Sequence, residues 1–149
     1  MLEAFLAMLV VAADPVSRHD IVWASPSRDE HGSMPIGNGD VAANVWVEPD
    51  GTLSFYLAKS DAWDDNARLL KLGRVRVRLD PSPLEREPRF LQRLDLANGV
   101  IDISMGPARA PTNVVVYVDA HRPVCVVEVD STLPVNVEVQ LDPWRQIGR

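Results

Sequence analysis

The amino-acid sequence predicts an all-β protein, an antiparallel β-sandwich similar to a supersandwich. Short runs alternate between apolar and polar residues, tight turns separate them at hairpin spacing, and a helical pattern is nearly absent. The clearest run is residues 74–79, where three arginines alternate with Val75, Val77 and Leu79. Because successive side chains of a strand point to opposite faces, this run predicts a strand with one apolar and one charged face.

Eight such strands are predicted along the chain, and together they would form two packed antiparallel sheets. They are residues 41–47, 53–57, 74–79, 90–96, 100–105, 114–118, 124–129 and 135–141. Residues 48–51 and 97–99 carry the proline, asparagine and glycine typical of hairpin turns. The proline-rich stretch 81–88 predicts a loop, and residues 64–72 predict one or two helical turns.

Composition and charge narrow the classes of function. The chain has 149 residues, enough for one domain with a core, and a net charge of −6. An acidic protein repels the phosphates of nucleic acids, so we expect no nucleic-acid partner. Cys125 is the single cysteine, which excludes an internal disulfide and favours a buried apolar role. We expect neither a metal nor another cofactor, since no Cys/His cluster has zinc spacing.

The N-terminus predicts export. Residues 4–13 are continuously apolar but too few to span a bilayer, and the sequence Val-Ala-Ala at 11–13 suits a signal peptidase. The region before the run carries Glu3 and no Lys or Arg, so a buried strand or helix also fits. We expect a signal peptide at 1–13 and a domain at 14–149 that is secreted or periplasmic and free of the membrane. We also expect this domain to be an incomplete segment of a larger one.

A short turn places the first candidate site residue. Gly37 and Gly39 allow backbone conformations that other residues resist, and they flank Asn38 directly before a predicted strand. A hairpin entry without chemistry also explains such a turn. The alternative is that the Asn38 amide contacts a ligand.

The stretch after the strand 53–57 holds the other candidates. Ser60, Asp61 and Trp63 combine a hydroxyl, a carboxylate and an indole, which are the groups that recognise sugars. Calcium could use the same oxygens, although their spacing is not that of an EF-hand. A third interpretation makes Asp61 or Asp64 the N-cap of a short helix. If the strands 41–47 and 53–57 pair as a hairpin, Asn38 should lie near Asp61 and Trp63.

No catalytic residue is predicted. The carboxylates of this stretch lie on one loop, whereas a glycosidase needs two carboxylates on either side of one bond. His19, His31 and His121 are far apart in sequence, and no nucleophile motif occurs. The arginines of residues 74–79 predict a solvated sheet face paired with carboxylates such as Asp95 or Asp102.

Four motifs in this order carry a resemblance to known families. They are Met-Pro-Ile-Gly-Asn-Gly at 34–39, Lys-Ser-Asp-Ala-Trp at 59–63, Arg-Leu-Asp-Leu at 93–96 and Asp-Ala-His-Arg-Pro at 119–123. The order resembles the N-terminal domain of glycoside hydrolase family 95, the α-L-fucosidase and α-L-galactosidase family. Residues 32–47 and 59–79 look closer to a bacterial N-terminal domain, domain of unknown function 5703, which heads secreted hydrolase-like proteins.

The resemblance implies a supersandwich that packs on a helical (α/α)₆ barrel, which carries the catalytic acid and base. We therefore expect a non-catalytic domain that supports a helical catalytic domain and lends loops to a sugar cleft, with Asn38, Ser60, Asp61 and Trp63 as binding residues. Two alternatives remain open. One is a free-standing carbohydrate-binding module with Trp63, Trp46 or Trp23 as platforms, and the other is a structural or interaction sandwich without sugar contact.

The expected signal peptide gives a testable prediction. If residues 1–13 are a signal peptide, the secreted protein should begin at Asp14, because the small residues Val-Ala-Ala precede it. N-terminal sequencing of secreted material checks this. A secreted product that begins at Met1 would contradict cleavage.

Overall fold

The structure is a computed structural model that describes residues 14–70 and 72–144. Its ten strands are β1 Ile21–Trp23, β2 Met34–Gly37, β3 Val41–Val47, β4 Leu53–Lys59, β5 Gly73–Asp80, β6 Phe90–Asp95, β7 Val100–Met105, β8 Thr112–Val118, β9 Cys125–Ser131 and β10 Asn136–Pro143. The helical elements are two 3₁₀ turns, Pro15–His19 and Glu30–Gly32, and the four-residue helix α1, Pro83–Arg86. The signal peptide predicted at 1–13 lies outside the described residues.

The strands form two antiparallel sheets of five strands each. Sheet A has the order β1-β6-β7-β8-β9, and sheet B has the order β10-β5-β4-β3-β2. This confirms the predicted all-β antiparallel sandwich and all eight predicted strands. The sequence analysis did not predict β1 or β2, and β2 was missed because its proline and glycine, directly before Asn38, are typical of a turn. A proline is tolerated there because β2 is an edge strand of sheet B.

The core lies between the inner faces of the two sheets. It is built mainly from aliphatic side chains, and its most buried members include Val45, Val47, Ile101 and Val116. One polar side chain crosses it: Gln92 on β6 donates its amide to the carbonyl of Val45 on β3, at 3.3 Å. This bond satisfies a buried polar group and also ties the two sheets together.

The helix predicted at residues 64–72 is wrong. The described residues there form turns, and Trp63 makes an isolated bridge to Leu69. The Asp64 carboxylate accepts the backbone N–H groups of Asn66 and Arg68, each at 2.9 Å. The N-cap interpretation fails as well, because no helix begins at Asp61 or Asp64 in the described residues, and the Asp64 carboxylate closes a turn instead.

A helix occurs instead inside the stretch that was predicted as a loop. Helix α1 begins with Pro83, and proline suits the first helical position because its missing N–H would have no partner there. No helix in the described ranges is long and apolar enough to cross a membrane.

The predicted partners of the arginine row are also wrong. Arg74 and Arg76 on β5 lie 3.2 and 3.0 Å from the carboxylate of Asp142 on β10. Asp95 and Asp102 belong to sheet A, which the sequence could not reveal. The Arg76 guanidinium, helped by Arg74, lowers the pKa of Asp142. This charge cluster adds to the eight-residue antiparallel pairing that holds β10 to β5.

Candidate functional site

The two candidate loops meet at one end of sheet B, as predicted. Strands β3 and β4 pair antiparallel with Val41 opposite Lys59, so the start of β3 lies beside the end of β4. The N–H of Ser60 donates to the carbonyl of Asp40 at 2.8 Å. We call the cluster formed by residues 37–40, 59–63 and 119–122 the loop corner.

Asn38 joins the two sheets at the loop corner. Its Oδ1 accepts the backbone N–H groups of Asp40 at 2.9 Å and Val41 at 2.8 Å. Its Nδ2 donates to the carbonyls of Asp119 at 2.7 Å and Arg122 at 3.1 Å. The amide thus makes four hydrogen bonds, the full number that an asparagine amide usually forms. This geometry favours a packed corner for Asn38, and its contact with a ligand stays a prediction.

The glycines that flank Asn38 meet two different requirements. A Cβ atom at Gly37 would lie 2.9 Å from the carbonyl oxygen of Val41, too close for any other residue without a backbone shift. Gly39 has a φ of 90°, in the region that favours glycine. The turn therefore needs both glycines to present the Asn38 amide to sheet A.

The receiving turn of sheet A is held by a second carboxylate. Asp119 Oδ1 accepts the N–H groups of His121 and Arg122, and its Oδ2 lies 2.6 Å from the Arg122 guanidinium. The Arg122 side chain, followed by the His121 N–H, lowers the pKa of Asp119 to about 2. This turn fixes the two carbonyls to which Asn38 donates.

Asp40 links the turn before β3 to the segment after β4. Lys59 Nζ lies 3.0 Å from Asp40 Oδ1 and 2.6 Å from Asp61 Oδ1, and Ser60 Oγ donates to Asp40 Oδ1 at 3.1 Å. Asp61 and then Asp40 raise the pKa of Lys59, and Lys59 lowers the pKa of Asp40. The sequence reasoning missed Asp40 as a site residue. Its position directly after the Gly-Asn-Gly turn was the only available signal, and its partners follow from the hairpin register.

Trp63 stands at the outer side of the loop corner with its side chain 55% exposed. Its Nε1 donates to the carbonyl of Ser60 at 2.7 Å, which restrains the indole. Trp46 is instead buried on the outer face of β3, edge-on to Tyr56, which in turn contacts Trp144. Trp23 is exposed on β1, in the other sheet. The three tryptophans proposed as platforms therefore do not line one aromatic face.

The carboxylates of this region are paired with cations. Lys59 contacts Asp40 and Asp61, and Arg68 Nε lies 3.0 Å from Asp64 Oδ2. Within residues 14–70 and 72–144, no group of three or more His, Cys, Asp or Glu side chains could hold a metal ion. The arrangement suits hydrogen bonding to a polar ligand better than proton transfer.

The fold and the site together define the class of this protein, which is a two-sheet antiparallel sandwich with a polar loop corner. Residues 22–149 match the sequence model of the family DUF5703_N, described as "Domain of unknown function (DUF5703)". The chain belongs to this family. A search of the curated proteins found no match.

Asn38 provides the first test of this site. Asn38→Ala removes four hydrogen bonds and leaves part-buried groups unpaired, so the free energy of unfolding should fall by about 1–3 kcal/mol. Denaturant titration measures this. Asn66→Ala is a control, since Asn66 is an exposed loop residue. Equal stability of the two variants would show that the amide does not hold the sheets.

The low pKa of Asp119 makes stability depend on pH. Its pKa is about 2 in the fold and 3.8 ordinarily, so its contribution is complete above 3.8 and disappears as the pH falls through 2. Asp119→Asn keeps a turn acceptor but removes the charge. The melting temperature of this variant should therefore fall less between pH 4 and pH 2 than that of the natural chain. The control variant Asp65→Asn should show the same pH dependence as the natural chain. If the melting temperatures of Asp119→Asn and the natural chain fall equally between pH 4 and pH 2, the low pKa of Asp119 is contradicted.

Proposed function

We propose that the chain is a non-catalytic N-terminal β-sandwich domain of a secreted or periplasmic bacterial protein similar to glycoside hydrolases. In this proposal the domain supports a helical catalytic domain and contacts carbohydrate through the loop corner. The observation that carries the sugar-binding part is the exposed, restrained indole of Trp63 beside the side chains of Ser60 and Asp61.

The position of Trp63 suits stacking on a sugar. A pyranose ring has an apolar face that packs on an indole, while the ring edges remain polar. The bond from Nε1 to the Ser60 carbonyl uses the edge of the indole, and more than half of the side chain stays exposed. Because the ring is already restrained in the free protein, little side-chain entropy would be lost on binding.

The polar groups beside Trp63 suit hydroxyl recognition. Asp61 is exposed and touches Lys59, so a sugar hydroxyl there could meet a carboxylate and an ammonium group together. Ser60 Oγ is oriented by its bond to Asp40. Charged groups make the stronger hydrogen bonds to polar ligands, which supports binding in spite of competition from water.

Two features support a role without catalysis. The Lys59 ammonium lies between Asp40 and Asp61 and lowers the pKa of Asp40, which keeps the Asp40 carboxylate ionised rather than poised as an acid. The resemblance to glycoside hydrolase family 95 places acid and base on a helical barrel, outside a sandwich of this kind. We therefore assign the chemistry of the parent protein to that separate domain.

A groove beside Trp23 supports the part of the second candidate in which a carbohydrate-binding module uses Trp23 as its platform. The groove has a volume of about 290 Å³ and is lined by Trp23, Ser25, Ser27 and His31, among others. Trp23 Nε1 donates to the Gly32 carbonyl at 3.1 Å, so this indole is restrained in the same way as Trp63. A sugar bound there would lie on β1, away from the loop corner.

Substitution of the two tryptophans separates these candidates. With methyl α-L-fucoside and methyl α-L-galactoside as probes, Trp63→Ala should weaken binding roughly tenfold, or about 1.4 kcal/mol, through lost stacking. Trp23→Ala, the matched control, should leave binding unchanged. Titration monitored by NMR gives both dissociation constants, and thermal unfolding should show that Trp63→Ala leaves the fold intact.

The same titration can contradict the proposal. Loss of binding only in Trp23→Ala would place the site in the groove on β1 and favour the free-standing module. Unchanged binding in both variants would exclude both tryptophans as platforms, and no binding by the natural chain would favour a structural sandwich without sugar contact.

A further inference from the structure

The two sheets are offset, and within residues 14–70 and 72–144 no strand of sheet A covers β10. Val137, Val139 and Leu141 are 50%, 65% and 61% exposed. They lie on the core side of sheet B, because Val139 pairs with the buried Val77 and Val137 pairs with the buried Leu79. An apolar stripe of this length on a core face is the kind of surface that marks a binding site.

The uncovered stripe forms one wall of an open cleft of about 550 Å³. Strand β9 lines the cleft on one side, with Cys125, Val127 and Val129, and strands β4, β5 and β10 line it on the other. The lining is apolar except for Lys59. Its shape follows from the offset, since β8 contacts β2 and β3, and β9 is the last strand of sheet A in the part of the chain that the structure describes.

The free edge of β9 is the place where a strand would close this cleft. Within the described ranges β9 pairs only with β8, so its other edge has backbone N–H and C=O groups without a strand partner. A strand added there would lie about 4.8 Å from β9 and about 10 Å from sheet B, above β10. A strand added to β10 would only widen sheet B and leave the apolar stripe uncovered. The geometry therefore selects β9.

The charges on β9 define the chemistry of the added strand. Glu128 and Asp130 point to the outer face, and within residues 14–70 and 72–144 neither forms an ion pair. Their neighbours on β8, Val115 and Asn113, are uncharged. An added strand would place its outward side chains directly beside these carboxylates, where basic residues are favoured and acidic ones are not.

A second copy of the chain fits this edge poorly, because pairing β9 with itself brings the carboxylates of both copies together. Residues 1–13 do not have the required pattern, since they contain no Lys or Arg.

We propose that the free edge of β9 binds an extended segment of a partner polypeptide in which aliphatic residues alternate with Lys or Arg. The segment becomes the sixth strand of sheet A, with its aliphatic side chains in the cleft and its basic side chains beside Glu128 and Asp130. This inference goes beyond the proposed function and does not depend on sugar binding.

The test uses the full chain and two seven-residue peptides, one alternating lysine with valine and one alternating glutamate with valine. The lysine peptide should bind at least tenfold more tightly than the glutamate peptide. Charge reversal in Glu128→Lys with Asp130→Lys should invert this preference. Glu85→Lys with Glu87→Lys changes the net charge equally at exposed positions near α1 and should leave the preference unchanged. Fluorescence anisotropy of labelled peptides gives the preference of each of the three proteins, and amide exchange should show new protection along β9.

Three results would overturn the proposal. One is that the two peptides bind equally tightly, or that neither peptide binds. Another is a change of preference in the Glu85 and Glu87 control as large as in the β9 variant, which would mean attraction by net charge alone. The third is occupation of the edge by the chain itself, seen as a dimer in sedimentation or as peptide binding only after residues 1–13 are deleted.

Discussion

The hydrogen bonds of Asn38 connect the hairpin β2–β3 of sheet B to the turn between β8 and β9 of sheet A. A sandwich holds its layers together mainly by apolar contact, which is not directional and therefore specifies the alignment of two sheets less sharply than a hydrogen bond does. Polar links such as those of Asn38 and Gln92 fix one alignment, because a shift would leave their buried groups unpaired. The alignment of the layers, and with it the offset that exposes β10, depends on these links.

At the loop corner, residues that support the fold lie beside the residues that we propose to bind carbohydrate. The side chains of Asn38 and Asp119 form hydrogen bonds within the fold, while Asp61 and Trp63 lie on the same corner and remain exposed. Asp40 belongs to both groups, because it carries the backbone link to Ser60 and also the contact with Lys59. A ligand-facing loop on a rigid hairpin end is held in place without the cost of ordering it on binding.

The sequence predicts this fold well where the period of the side chains is clear, as in residues 74–79. It fails where a local interaction overrides the pattern. Asp64 bonds the N–H groups of its own turn, so the leucines after it do not form a helix. The strand β2 was missed because proline and glycine usually end strands, and only its edge position makes them acceptable.

The candidate site was predictable as far as it depends on neighbouring strands. The approach of the two loops follows from one hairpin, and the structure confirms it. The partners of Asn38 lie about eighty residues away in the other sheet, and no local pattern reports a contact of that kind. The predicted ion-pair partners of the arginines in residues 74–79 were wrong for the same reason, since the carboxylates that were predicted lie in the other sheet.

The two edges that border the cleft differ in their charges, and this difference has a physical consequence. On β10 the outward Asp142 is matched by Arg74 and Arg76 of the neighbouring strand, so sheet B compensates its own charge. On β9 the outward Glu128 contacts only the hydroxyl of Tyr117 among the described residues, and Asp130 meets no cation there. Like charges along an exposed edge oppose association with another copy of that edge. The same charges attract a strand of opposite sign, so the feature that limits self-association also selects a partner.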